Sequence, residues 1–192
     1  MSGGVAIVTG LPASGKTSVI DGAIGRLHMY KIVTIGTLMA DAALKKGISK
    51  DRDALRYLKT GAIDRLRHAA FATVARMGGA VIVNTHATVE QNGRFITGLP
   101  EKEVNMLNVK GLIYIDADPK AIARRRSKDS SRKREAESVN EIEMQRQIDL
   151  STLAHYATYL NIPLYIIQNK EGALKESQSR FKDALKDIFG EK

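Results

Sequence analysis

Gly10, Gly15, Lys16 and Thr17 stand in the stretch GLPASGKT at the spacing G-x-x-x-x-G-K-[ST]. These residue types at that spacing suit the binding of nucleotide phosphates. The two glycines allow backbone conformations and close approaches that a Cβ would block. A helix opening just after the loop adds N–H groups and partial positive charge for an anion. Lys16 puts a cation on the β- and γ-phosphates, and the Thr17 hydroxyl is aimed at Mg²⁺. The whole run of Gly10, Leu11, Pro12, Ala13, Ser14, Gly15, Lys16, Thr17 and Ser18 is the candidate ATP site.

Three further stretches bear on where a phosphoryl group would go. In the first, residues 34–61, Gly36 and Thr37 are expected to end a second strand, with Arg56 beyond on a helix and Lys59 on the same face. Arginine suits phosphate because its planar fork bonds two oxygens at once, but a solvated helix face would read the same. The second is VIVNTHATVEQNGRFITGLP, residues 81–100. A strand end near a phosphate loop often supplies a metal-site acid; here that place holds Asn84, followed by Thr85 and His86. His86 has a structural reading beside the functional one, and NGRFITGLP reads as a turn and loop able to close over a substrate. The third is RRRSKDSSRKR, residues 124–134, with only Asp129 opposing its basic residues. Arg125, Arg132 and Arg134 could close over the phosphates as a lid. A solvated face and an RNA-binding patch are the alternatives, although no aromatics interleave the run to stack on bases.

Alternating elements must position these groups. Strands are expected at 5–10, 31–37, 80–86, 111–118 and 162–169, and helices at 16–28, 37–46, 51–77, 100–107, 118–128, 139–160 and 173–189. Ser49, Asp51 or Asp53 offers a start signal for the long middle helix. This order implies an α/β fold, a parallel sheet covered by helices on both faces. The 192 residues suit one domain, with no repeat and no flexible linker. A net charge of +9 favours anionic partners, and the absence of cysteine excludes disulfides and thiolate sites. No apolar run reaches the roughly 18 residues of a membrane span, and no secretion signal is recognisable, so a cytoplasmic protein without a membrane partner is expected.

At this point the chain resembles the archaeal-type adenylate kinases, a branch of the P-loop nucleoside monophosphate kinases. The resemblance covers nearly all of it. It rests on VTGLPASGKTS, IGT (35–37), DRDALR (51–56), THATV…GLP (85–100), DSSRKRE (129–135) and IIQNKEG (166–172). It implies a three-layer P-loop NTPase fold with a central five-stranded parallel sheet, a helical AMP-binding part near 37–77 and a short lid near 125–138. The implied reaction is ATP + AMP ⇌ 2 ADP with Mg²⁺ as cofactor, often in a homotrimer. By the same resemblance Lys16, Arg125, Arg132 and Arg134 are the catalytic candidates. Gly36, Thr37, Arg56, Thr85 and His86 would form the AMP site, with Arg56 on the α-phosphate, and 169–172 would border the ATP adenine.

Two departures stand out. Asn84 occupies a place where the family commonly has aspartate, leaving an amide to bond a magnesium-bound water. Ala13 replaces a common glycine and fits if its φ is negative. Base preference rests on the resemblance, so CMP or UMP as acceptor remains open, as does an RNA- or ribosome-associated ATPase. For assembly, Met144, Ile148, Leu153 and Tyr156 mark an apolar face of the 139–160 helix that would suit either a core or a subunit contact.

Overall fold

The computed structural model describes residues 3–25, 29–48, 58, 60–91, 93–128 and 137–190. Five strands, β1 (Gly4–Thr9), β2 (Tyr30–Thr34), β3 (Ala80–Asn84), β6 (Val109–Asp116) and β7 (Leu164–Gln168), form one parallel sheet in the order β2-β3-β1-β6-β7. A separate antiparallel pair, β4 (Thr88–Gln91) and β5 (Arg94–Thr97), lies between β3 and β6 in sequence. The helices are α1 (Lys16–Ile24), α2 (Ile35–Lys45), α3 (Thr60–Ala75), α4 (Glu101–Val104), α5 (Pro119–Lys128), α6 (Val139–Leu160) and α7 (Leu174–Phe189).

The central strands are apolar through their middles, with polar residues such as Thr9, Asn84 and Asp116 at their carboxyl ends, because both faces of the sheet are covered. Ala6 and Val8 of β1, Ile82 of β3 and Ile113 of β6 pack with Ile20 of α1 and Phe181 of α7. The alternate residues Val5, Ile7, Val81 and Leu112 pack on the opposite face with Phe71 of α3 and Leu153 of α6. A third, small cluster of Leu11, Ala117, Ile122 and Ile142 seats α5 and α6 beside the loop after β1. The layers therefore hold the carboxyl ends of β1, β3 and β6 together, where ligands bind in open α/β sheets.

Two expectations need correction. The second strand stops at Thr34, so Gly36 and Thr37 lie in the first turn of α2 instead of at a strand end. Ile35 is buried in the core, and the helix-forming run LMADAALK carries the helix back across Gly36. The segment NGRFITGLP, expected as a turn and loop, contains strand β5, which pairs with β4 just before it in a hairpin registered Thr88↔Thr97 through Gln91↔Arg94. Its signal was present: Asn92-Gly93 is a dipeptide favoured in two-residue hairpin turns.

The apolar stripe of α6 also divides. Leu153 and Tyr156 are buried in the core, whereas Met144 is exposed. Among the described residues no helix is long and apolar enough to cross a membrane. Arg56, Lys59, Arg132, Arg134 and the proposed helix start at Ser49, Asp51 or Asp53 lie outside the described residues.

Candidate active site

The loop from Gly10 to Gly15 leaves β1 over the carboxyl end of β6. Gly10 has φ 145°, and a Cβ there would stand 2.3 Å from the Ile115 carbonyl oxygen. Gly15, at φ 92°, starts α1, and a Cβ there would meet Asn169 Nδ2 at 2.2 Å. Ala13 takes φ 69°, contrary to the negative φ that alanine prefers. The Ser14 N–H donates to Leu11 O at 3.1 Å, closing a turn with Pro12 second and a positive φ third, as a type II turn requires. A left-handed alanine costs roughly 1–2 kcal/mol, a local strain at the phosphate loop.

Three donors hold the outside of this loop. Arg126 Nε donates to Pro12 O (3.2 Å), Arg125 Nη1 to Ala13 O (3.1 Å) and Asn169 Nδ2 to Ser14 O (2.8 Å). A trans peptide sets its C=O and N–H on opposite sides, so the Ala13 and Gly15 N–H groups face away from these donors. Lys16 Nζ, buried beneath the loop, donates to the Gly10 and Leu11 carbonyls. Thr17 and Ser18 stand exposed in the first turn of α1.

Arg125 thus lies on α5 against the phosphate loop. Its neighbour Arg126 was missed by sequence reasoning. The Arg126 side chain is 8% exposed and pairs with Glu137 while reaching Gln145 Oε1 at 3.5 Å. A faint signal existed, since Arg126 falls four residues after buried Ile122 on the same helix face. Arg124 by contrast is exposed and pairs with Glu171 at 2.6 Å, which raises its pKa through the hydrogen bond.

Beside the loop, a cleft of about 430 Å³ opens between Asp118, Arg124, Arg146, Gln168, Asn169 and Glu171, within the size range of small-ligand sites. Its floor is an ion pair. Arg146 donates from Nε to Asp116 Oδ1 (2.8 Å) and from Nη2 to Asp116 Oδ2 (2.7 Å). Gln168 Nε2 and the Ala117 N–H complete the carboxylate's partners at 2.6 and 3.0 Å. Hydrogen bonding to Asp116 raises the Arg146 pKa, outweighing its desolvation.

At the end of β3, Asn84 is registered with Val8 and Thr34, in the middle of the sheet. The Thr85 N–H donates to Val8 O at 3.0 Å, and His86 follows, half-buried. The chain then enters the hairpin, which α6 anchors: Asp149 Oδ1 accepts from the Thr88 N–H (3.0 Å) and Oγ1 (2.6 Å), and the Tyr156 hydroxyl donates to Leu99 O. Sequence reasoning missed Asp149 altogether.

Burial pushes the Asp149 carboxyl up to about 6, with the Thr88 hydrogen bonds and then the charge of Lys16 opposing. The folded state therefore holds this proton more tightly than the unfolded chain, and stability falls as pH rises from about 4 to 6. Against Asp149→Asn, the unsubstituted protein is expected to lose about 2 kcal/mol of stability between pH 4 and pH 7. Urea titrations of both proteins across that range check it; a difference independent of pH would contradict the assignment.

Three buried side-chain oxygens, Thr9 Oγ1, Ser14 Oγ and Asp149 Oδ2, lack a hydrogen-bond partner among the described residues. Ser14 lies in the phosphate loop, Thr9 ends β1 immediately before it, and the charge of Lys16 acts on Asp149. Hard oxygen donors beside a phosphate site fit magnesium, which binds through phosphates, waters and few protein ligands. Among the described residues no cluster of three or more His, Cys, Asp or Glu that could hold a metal occurs.

A parallel α/β sheet with this loop at the end of its central strand defines a P-loop nucleotide-binding fold. Solved structures with the same fold include shikimate kinase from Bacteroides thetaiotaomicron (TM-score 0.58, 13% identity, covering 96% of this chain and 99% of that one). Shikimate kinase from Acinetobacter baumannii is another (TM-score 0.62, 11% identity, 96% and 94%). The AAA domain family matches residues 9–143. Adenylate kinase from Methanoculleus marisnigri is 35% identical over 182 residues, covering 92% of this chain and 95% of the relative. Adenylate kinase from Thermoplasma acidophilum is 36% identical over 166 residues, covering 86% and 90%. The chain belongs to the adenylate kinase family.

Proposed function

We propose that the protein catalyses the reversible reaction ATP + AMP ⇌ 2 ADP, with magnesium, in adenine nucleotide homeostasis. The observation that carries this reading is the loop itself. Its carbonyls are held outward by Arg125, Arg126 and Asn169, and Lys16 lies beneath it at the end of β1. The family relationship over most of the chain supports AMP as the acceptor.

Backbone N–H groups of the loop would hold the ATP phosphates, and Lys16 would follow the transferring group as charge spreads over its oxygens. Magnesium, when bound with the nucleotide, would neutralise charge on the β- and γ-phosphates. Thr17 would hold it, and Asn84 would bond one of its waters. The cleft beside Asn169 would take the adenine of ATP. On the acceptor side, Gly36, Thr37, Thr85 and His86 would border AMP, with Arg56 on its α-phosphate. Residues 37–77 would be the acceptor-binding part. Arg132 and Arg134, in a lid near 125–138, would close with Arg125 and exclude water. No nucleophilic side chain is needed, because the AMP phosphate attacks and the protein supplies position and charge.

The protein would act in the cytoplasm as a homotrimer, with exposed Met144 of α6 available for a subunit contact; light scattering tests the assembly. For the chemistry, ATP and Mg²⁺ are supplied with AMP, CMP, UMP, GMP or no acceptor. ADP formation is expected to require AMP. A preference for CMP or UMP would move the acceptor, and equal rates without acceptor would overturn the kinase reading.

A further inference from the structure

We propose that Asp149 is the anionic group of the magnesium–phosphate site, supplying from helix α6 the carboxylate that β3, ending in Asn84, does not carry. The inference rests on the nucleotide–magnesium reading above and deepens it.

A cation bridging two phosphates is ordinarily flanked by a carboxylate at a strand end beside the loop. Here that strand end offers only an amide. The other acids around the loop and cleft have partners. Asp116 is saturated by Arg146, Gln168 and the Ala117 N–H, and Asp118 Oδ1 caps α5 through the Lys120 and Ala121 N–H groups. Glu137 is paired with Arg126, and Glu171 with Arg124.

Asp149 differs from all of these. It is 1% exposed, its Oδ1 is doubly bonded by Thr88, and its Oδ2 has no donor among the described residues. Burying a carboxyl oxygen without a partner costs free energy that folding does not recover. The location says what the oxygen serves. The charge of Lys16 acts on Asp149, and Asp149 in turn acts on Tyr114, which is registered opposite Thr9 at the mouth of the loop. The unpartnered oxygen therefore belongs to a side chain on the α6-covered face of the sheet, anchored to Thr88 four residues beyond Asn84 and within electrostatic range of the phosphate-loop lysine.

The simpler role for Asp149 is to anchor the hairpin through Thr88. Only Oδ1 does that, and an asparagine would do it equally well. Asp149→Asn thus removes the charge and keeps the anchor, which separates the two roles.

The experiment is an electron paramagnetic resonance titration of Mn²⁺ with ADP present and AMP absent, so no turnover is needed. Unsubstituted protein, Asp149→Asn and the double variant Asn84→Asp/Asp149→Asn are compared, with melting curves establishing that each is folded. Asp149→Asn is expected to weaken Mn²⁺ about 10-fold or more, and returning the acid to β3 in the double variant is expected to restore it. Unchanged affinity in Asp149→Asn, or a loss the double variant does not rescue, overturns the proposal. Should Asp149→Asn not fold, carbon-detected nuclear magnetic resonance of the unsubstituted protein decides. Mn²⁺ with ADP is expected to broaden the Asp149 carboxyl signal before that of Asp118, and an unaffected Asp149 signal overturns the proposal. Failure of the underlying nucleotide reading has a different signature, since ADP would then not bind the unsubstituted protein at all.

Discussion

Replacing Lys16 with methionine is expected to lower kcat about 1,000-fold while leaving a folded protein. The ammonium is buried beneath the loop and within reach of the Gly10 and Leu11 carbonyls. It can follow a phosphoryl group along the loop while its stem stays packed. In a water-poor site, a cation aimed at developing phosphate charge acts with little screening, and losing such a group costs several kcal/mol of transition-state stabilisation. Methionine keeps the unbranched stem and removes only the charge and the donor, so melting behaviour should change little. Steady-state kinetics beside a thermal melt make the measurement. A kcat within about 10-fold of the unsubstituted protein would remove Lys16 from the transition state.

The second large effect concerns stability. Arg146→Met is expected to destabilise the fold by about 3–5 kcal/mol, because it strands the Asp116 carboxylate. Asp116 is 2% exposed and closes the end of β6 beneath the cleft, with both oxygens bonded by the guanidinium. Gln168 and the Ala117 N–H remain after the substitution, but neither carries charge. Lysine at 146 would restore the charge without the two-pronged geometry and should recover only part of the loss. Chemical denaturation of both variants checks the order. A methionine variant as stable as the original would mean the pair contributes no net stability.

Much of the scaffold could be read from particular residues. VAIV and AVIV are apolar throughout because Val5, Ile7, Val81 and Val83 face one helical layer, and Ala6, Val8, Ala80 and Ile82 the other. Helix α6 starts where it was expected, and there the structure shows a capping box of Ser138 and Glu141. Local pattern failed where tertiary packing decides. The β-branched run KIVTIGT reads as strand to its end, yet Ile35 turns into the core and begins a helix. Ala13 reads as an ordinary residue, but the turn it occupies demands a positive φ. Asp149 was illegible for a different reason. In MQRQIDLSTL it is one polar residue among several on a helix, and only the fold turns it inward against Thr88 and the loop lysine.

The most direct test of the account begins with ADP alone. Incubated with Mg²⁺ and the protein and followed by phosphorus nuclear magnetic resonance, ADP is expected to disproportionate until ATP and AMP appear in equal amounts. AMP accumulating with inorganic phosphate and no ATP, or ADP left unchanged, would contradict phosphoryl transfer between two adenine nucleotides.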